Sequence, residues 1–411
     1  MAKNTKKSSL KDYRQGFLLS FIIIVAGFIL DWVTGGRGVA LPSWPMNLFV
    51  VLSFAFILVF IHFYYRDMDT VKWLSRVPAS VSAIVLFTFL TLIMGLTKQN
   101  NPDASTFMKM SGLDHVRSSY VFLLSGLYLL TTLGLVILRR ITPLTYKNSG
   151  FTLNHLGLWI IIMAGSLGSG DLQRLNIYVN ENQSVWFGFN QKEQPYKLPF
   201  TVKLLDFSIE EFPPKLAYVE SQTMAFPKDV VDNMILMQKG MNTTISGWDI
   251  TIEELIPSAR KDSTGTFVAS KDTLSYPVAK IKAVSANGDL VREGWITSGN
   301  IKTRPSFLPL DGRHSLAMAK PQAKEYSSKI AIEQDGQTDT ATVIVNKPVR
   351  VGGWNLYQLS YDERMGKWSK LSIIEAIRDP WLPIIYVGIF MVILGALYLF
   401  TIGKTPKESE K

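Results

Sequence analysis

Six apolar runs, at about residues 17–34, 46–65, 79–97, 119–138, 152–168 and 382–402, constrain this chain more than any other feature. A helix needs roughly 20 residues to cross the hydrocarbon of a bilayer. Only helices and closed barrels satisfy their backbone polar groups there. The runs therefore predict six transmembrane helices, the fifth barely long enough. They also leave one long interval, about 170–380, to fold outside the bilayer. A basic lead, "MAKNTKKSSLKDYR", precedes the first run, but no small-residue cleavage site follows it, so that run is expected to stay as a signal anchor.

Charge gives the expected orientation. Lys3, Lys6, Lys7, Lys11 and Arg14 precede the first run; Arg66, Lys72 and Arg76 follow the second; Arg139, Arg140 and Lys147 follow the fourth; and Lys404, Lys407 and Lys411 follow the sixth. The short loops on the opposite side carry only Arg37, Lys98, Lys109 and Arg117. The positive-inside rule then predicts both termini in the cytoplasm and the long insert outside. The net charge of +10 comes from these flanking clusters and implies no nucleic-acid role. With no cysteine, the chain forms no disulfide and offers no thiolate ligand.

The insert reads as β-structure. In "SGWDITIEEL", Trp248, Ile250 and Ile252 alternate with Asp249, Thr251 and Glu253, the period of a strand with one buried face. Asn287-Gly288 and Asp335-Gly336 each separate two strand-like runs, and Met365-Gly366 lies between "WNLYQLSYD" and "KWSKLSIIE". The expected fold class is an α-helical integral membrane protein with six transmembrane helices and a large inserted all-β extracytoplasmic domain, a sandwich or open barrel. Gly352-Gly353 predicts a turn or bulge, and Asp379-Pro380 the boundary before the closing helix.

Ionisable side chains within the runs are few: Asp31, His62 and His155. Ion-coupled transport relays near the membrane midplane are missing. The insert carries no nucleophile elbow, HExxH or paired-carboxylate motif, so the chain is not expected to be an enzyme. Asp31, next to Trp32 and ahead of Gly35-Gly36, reads as an interfacial end to the first helix.

From about 77 to 402 the chain resembles the ResB (CcsB) family of cytochrome c biogenesis proteins. The resemblance is carried by "HLGLWIIIMAGSLGS", by "LPFTVKLLDFSIEEF" taken as the first strand region, by "VNKPVRVGGWNLYQLSYD" and by "DPWLPIIYVGIFMVILGALYLF". It implies a subunit that works with a CcsA/ResC-like membrane partner to carry haem outward and present it to apocytochrome c, covalent attachment needing the partner. The family pattern has three spans before the outer domain, so the hairpin of residues 17–65 is an addition. The partner family's WGxxWxWD haem motif is missing, so the chain resembles one half of a complex.

The runs, the charges and the resemblance together give these expected segments: a basic cytoplasmic N-terminus at 1–16, the added hairpin at 17–65, family-like helices at 77–168, the β-domain at 170–380, a closing helix at 382–402 and a cytoplasmic tail at 403–411. It also implies the inner membrane of a bacterium. In this family a histidine of the segment entering the outer domain is implicated in holding haem, and His155 is the matching position. Helical spacing adds Trp159 and Ile162 to its face and makes Gly157, Ala164 and Gly168 a small-residue stripe. The bland alternative is an interfacial histidine that caps its helix. His62 and His115 are weaker candidates, expected as an interfacial side chain and a solvated loop side chain, and His314 is expected on the domain surface. Trp354, Tyr357, Tyr361 and Trp368 are expected mostly in a β-core. The alternative function is a membrane-anchored sensor or interaction protein whose outer domain binds a ligand or partner without handling haem.

Overall fold

The computed structural model describes residues 10–142, 145–228 and 234–402. The expectations for the far N-terminus and for the tail after 402 lie largely outside these residues. The chain divides into two compact units, one formed by residues 1–172 with 379–411 and the other by 173–378.

Among the described residues the first unit contains eight α-helices: α1 (Leu10–Val33), α2 (Met46–Tyr65), α3 (Asp69–Leu74), α4 (Val77–Leu96), α5 (Thr106–Met110), α6 (Tyr120–Ile141), α7 (Tyr146–Leu167) and α8 (Leu382–Ile402). Six of them, all but α3 and α5, are long and apolar enough to cross a membrane. The ends follow local chemistry. Ser119 accepts a hydrogen bond from the Phe122 amide at the head of α6, Pro78 sits in the first turn of α4, and Asp379 accepts from the Trp381 and Leu382 amides at the head of α8. Thus Asp379-Pro380 does mark the boundary, with the aspartate as its cap.

Two helices differ from the apolar runs. α1 begins at Leu10, well before the run starting near 17, and α7 begins at Tyr146, so the fifth helix is not short. The polar lead "YKNSG" helps form α7 because it packs on α8. A Cβ at Gly150 would stand 2.6 Å from the Tyr398 ring, and one at Gly157 would stand 2.5 Å from the Gly388 carbonyl oxygen. Gly150 and Gly157 thus face Gly388 and Gly395 in a crossing where backbone nearly touches backbone. The sequence stripe named Gly157 but missed its partners on α8.

The second unit is all β: β1 (Gln173–Asn180), β2 (Ser184–Phe189), β3 (Pro195–Glu211), β4 (Lys215–Glu220), β5 (Met234–Leu236), β6 (Asn242–Ile245), β7 (Trp248–Lys261), β8 (Phe267–Ala269), β9 (Tyr276–Ser285), β10 (Val291–Thr297), β11 (Phe307–Pro309), β12 (His314–Met318), β13 (Ala323–Gln334), β14 (Gln337–Ile344), β15 (Val349–Val351), β16 (Trp354–Tyr361) and β17 (Leu371–Arg378). "LPFTVKLLDFSIEEF" falls in the third strand, not the first. It is preceded by "QRLNIYVN" and "SVWFGF", whose apolar alternation sits next to a helix and is easily absorbed into it.

An eight-stranded antiparallel sheet runs β14-β13-β3-β2-β1-β17-β16-β15, wrapped around Ile177, Leu204, Ile330, Trp354 and Ile374. The other two sheets, β10-β9-β7-β6 with β8 paired to β7, and β11-β12-β4-β5, bury Ile250, Ile281, Leu310 and Leu316 in a second core. The alternation in "SGWDITIEEL" is seen directly, with Trp248, Ile250 and Ile252 buried. All three predicted hairpins form: β9–β10, β13–β14 and β16–β17 are antiparallel neighbours. Asp335 and Gly336 take positive φ angles, 52° and 79°, as a type I′ turn requires. Of the aromatic quartet, only Trp354 is fully buried; Tyr357, Tyr361 and Trp368 are half-buried.

Candidate functional site

His155 stands on α7, and the two sides of that helix are used differently. Gly150, Asn154 and Gly157 form one stripe and meet α8, where the Asn154 amide donates to the Val392 carbonyl at 3.3 Å. Phe151, His155 and Trp159 form another. Fixing the first stripe so tightly sets the rotation of α7 and therefore the direction of the imidazole.

The imidazole is half-buried, and its Nδ1 lies 2.9 Å from the Phe151 carbonyl oxygen. A carbonyl can only accept, so Nδ1 carries the proton and the Nε2 lone pair of the neutral ring is left available. The ring lies flat on Phe151, with centroids 3.7 Å apart, and the Arg140 guanidinium sits 5.0 Å over the other part of this stack, at the Phe151 ring. Phe151 and Arg140 are the neighbours that sequence reasoning missed. The i−4 aromatic before the histidine was a readable signal for the first; Arg140 comes from another helix and leaves none.

Trp159 shares the helix face by spacing, but its indole is engaged in the bundle. Its Nε1 donates to the Leu130 carbonyl at 3.1 Å, and its ring is parallel to Phe54 at 6.4 Å. Ile162 packs with the Ala83, Tyr128 and Leu129 cluster. The aromatic surface in contact with the imidazole is that of Phe151.

The other histidines differ in how far they are enclosed. His62 is 4% exposed, packed inside the helical unit, and its Nε2 is buried without a hydrogen-bond partner. α3, absent from the sequence reading, packs beside α2 and helps enclose this region, where Leu58, Val71 and Leu135 form a small core. No hydrogen bond or ring contact joins His62 to His155; each is in contact with an adjacent phenylalanine. His115 is no solvated loop residue. Its side chain is 15% exposed, its Nδ1 is bonded to the Asp114 carboxylate, and its Nε2 is buried. His314 opens β12, half-buried against the Tyr218 ring and bonded to Asp311 at 3.2 Å.

Asp31 lies at the end of its helix, as the sequence suggests, but with its side chain buried. Gly35 and Gly36, with φ of 71° and 65°, do terminate α1, but the carboxylate turns inward and is fully buried. Its Oδ1 accepts from the Tyr120 amide at 3.1 Å, so α1 caps α6, where orphan amides and the helix dipole favour a carboxylate. Among the described residues no group of three or more His, Asp or Glu is arranged to hold a metal ion. A lone imidazole can still serve iron whose equatorial ligands come from a porphyrin.

A comparison with curated proteins finds no match. Residues 301–376, from the segment before β11 into β17, match the model of the ResB-like family. The matched stretch lies wholly within the β-rich unit and does not reach α7. Over residues 301–376, then, the chain is similar to the ResB-like family.

Proposed function

We propose that the chain is a membrane subunit of cytochrome c biogenesis that works with a CcsA/ResC-like partner to move haem across the bacterial cytoplasmic membrane and present it to apocytochrome c. The family match supports the process, and the six apolar helices support the membrane setting. The distribution of fourteen basic residues on one side against four on the other supports cytoplasmic termini and an extracytoplasmic β-domain over about 170–380.

The observation that carries the haem role is the state of His155. A histidine that binds iron through one nitrogen commonly donates from the other to a carbonyl, which fixes the tautomer and makes the free nitrogen more basic. His155 has that arrangement with the Phe151 carbonyl. In this reading haem is cargo, Nε2 holds its iron, Phe151 orients the imidazole, and Arg140 supplies positive charge suited to a propionate. Trp159 closes the bundle side. The chain supplies binding and presentation, while covalent attachment belongs to the partner.

The test is a purified complex with the partner. His155→Ala should remove or strongly weaken the Soret band and lower cytochrome c maturation, and added imidazole should restore part of both. His314→Ala is the control and should leave both intact. Full haem content and full maturation in His155→Ala would reduce the histidine to a helix-capping side chain. A colourless complex together with normal cytochrome c in a deletion strain would favour a sensor or interaction protein. Reporter fusions at residues 148 and 250 test the orientation, with the first expected inside and the second outside.

A further inference from the structure

The end of the helical unit where α2 and α6 finish and α4 begins carries a cluster of cations. Arg66 follows the last residue of α2, Lys72 lies on α3, Arg76 stands at the head of α4 and Arg139 lies in the last turn of α6. Arg139 joins them. Its Nη2 donates to the Arg66 carbonyl at 2.9 Å, and its guanidinium lies within electrostatic reach of those of Arg66 and Arg76. Negative charge nearby is scarce. Asp67, nearly fully exposed, stands 3.8 Å from Arg66 and 3.9 Å from Lys72 and acts on Arg139 only from farther off. Exposed pairs of this kind contribute little. Among the described residues no carboxylate lies within ion-pair distance of Arg76 or Arg139.

Helix dipoles account for only half of this arrangement. Arg139 sits at the negative end of α6, where a cation is favoured, but Arg76 sits at the positive end of α4, where a cation is disfavoured. Arg76 therefore meets like charge from two guanidiniums and from its own helix. Because α2, α4 and α6 are each long and apolar enough to cross a membrane, their ends reach the level of the lipid headgroups. Exposed apolar side chains flank the cluster there, Phe63 just before Arg66 and Val77 just after Arg76. The anion that meets converging guanidiniums at that level, with apolar surface beside it, is the phosphate of an acidic phospholipid.

We propose that this cluster is a binding site for one anionic phospholipid, its phosphate held by Arg76 and Arg139 with Arg66 beside them and its acyl chains lying along Phe63 and Val77. The site rests on the membrane setting of the helices, not on haem handling and not on which end faces the cytoplasm. A chain that partitions with membranes yet fails the test below loses the lipid site alone.

The experiment uses the full chain, purified in detergent, stripped of lipid and titrated with phosphatidylglycerol or with phosphatidylcholine of the same acyl chains, with binding read by native mass spectrometry. Phosphatidylglycerol should bind more tightly by about tenfold or more. Each basic side chain near an anionic headgroup contributes a factor of about five, so Arg76→Gln and Arg139→Gln should each weaken phosphatidylglycerol binding about fivefold and together roughly twentyfold, with phosphatidylcholine binding unchanged. Arg76→Lys should keep most of the affinity. Arg117→Gln removes the same charge at the opposite end of α6 and should bind as the wild type does. Glycerol 3-phosphate should not displace the lipid; displacement at equal concentration would make soluble phosphate the ligand and overturn the proposal. Equal binding of the two lipids, full affinity in Arg76→Gln, or the same loss in Arg117→Gln would each overturn it too. Arg76 is exposed, so its variant decides the matter even if Arg139→Gln fails to fold.

Discussion

The indole Nε1–H of Trp381 donates to Asp171 Oδ2 at 2.7 Å, joining residues 210 positions apart in the chain. The same carboxylate accepts from the Asn47 side-chain amide and from the Trp44 backbone amide, each at 2.7 Å. One charge therefore ties the head of α2, the segment after α7 and the head of α8, at the two points where the chain leaves and re-enters the helical unit. Glycines make room for the tie: a Cβ at Gly168 would stand 2.5 Å from Trp381 Cβ. Hydrogen bonds to a charged acceptor are worth more than neutral ones, and stranded donors cost their own desolvation. Asp171→Ala should lower stability by roughly 3 kcal/mol and Asp171→Asn by about half as much. Thermal melting in detergent measures both, and an unchanged midpoint in Asp171→Ala would sink the idea.

Glu211, at the end of β3, makes stability depend on pH. Burial pushes its carboxyl above the usual value, and the Lys367 ammonium 3.9 Å away opposes this only in part. Its folded-state value is thus above its unfolded value, so the folded chain holds the proton more tightly. Stability from this group is fully present below the unfolded value and falls as pH rises through the folded one. Glu211→Gln, which cannot ionise, should match the wild type near pH 4 and exceed it increasingly as pH rises toward neutrality. Melting curves across that window check the sign; a difference that shrinks with rising pH would contradict it.

What could be read from the sequence divides by the range of the physics. Apolar length placed six helices, and period-2 alternation with Asn-Gly and Asp-Gly turns placed three hairpins, because these signals are local. The run 152–168 underestimated α7, since helix over "YKNSG" is stabilised by glycines more than 200 positions away on α8. Asp31 reads only as a helix end because its use, capping α6 across 89 positions, has no local sign. His115 looked solvated because a loop of polar residues does not announce that it is packed down. His155 was singled out among the four histidines by the resemblance alone, not by any local chemistry. The Phe151 carbonyl lies one turn before it on the same helix, whereas the Arg140 guanidinium meets the Phe151 ring only once α6 and α7 are packed.

The α7–α8 crossing gives a steric prediction with its own control. A methyl at Gly157 must displace the Gly388 carbonyl, which as backbone cannot rotate away, so Gly157→Ala should cost roughly 1–3 kcal/mol. Gly95, in the last turn of α4, would meet nothing within 4 Å, and Gly95→Ala should be neutral or stabilising by about 0.5 kcal/mol. Equal melting of the two variants would show that the crossing yields. Because the same crossing sets the rotation of α7, Gly157→Ala should also weaken any signal that depends on His155.

The last prediction separates His62 and His155, two of the three histidines of the helical unit, by what their free nitrogens face. His62 Nε2 is buried without a partner, an arrangement that costs desolvation and returns no hydrogen bond. Replacing it with an apolar side chain of similar bulk removes that cost, so His62→Leu should hold stability or raise it by about 1 kcal/mol. His155 differs in that its Nδ1 is satisfied by Phe151 and its Nε2 is not among the enclosed unpartnered atoms. His155→Leu should therefore cost the Nδ1 hydrogen bond, about 1 kcal/mol, and with it the Soret band of the complex with its partner. His62→Leu should keep that band at full height and at the same wavelength. A shifted or lost band in His62→Leu would mean that both imidazoles serve one iron, and the assignment of His155 as the single ligand from this chain would fall.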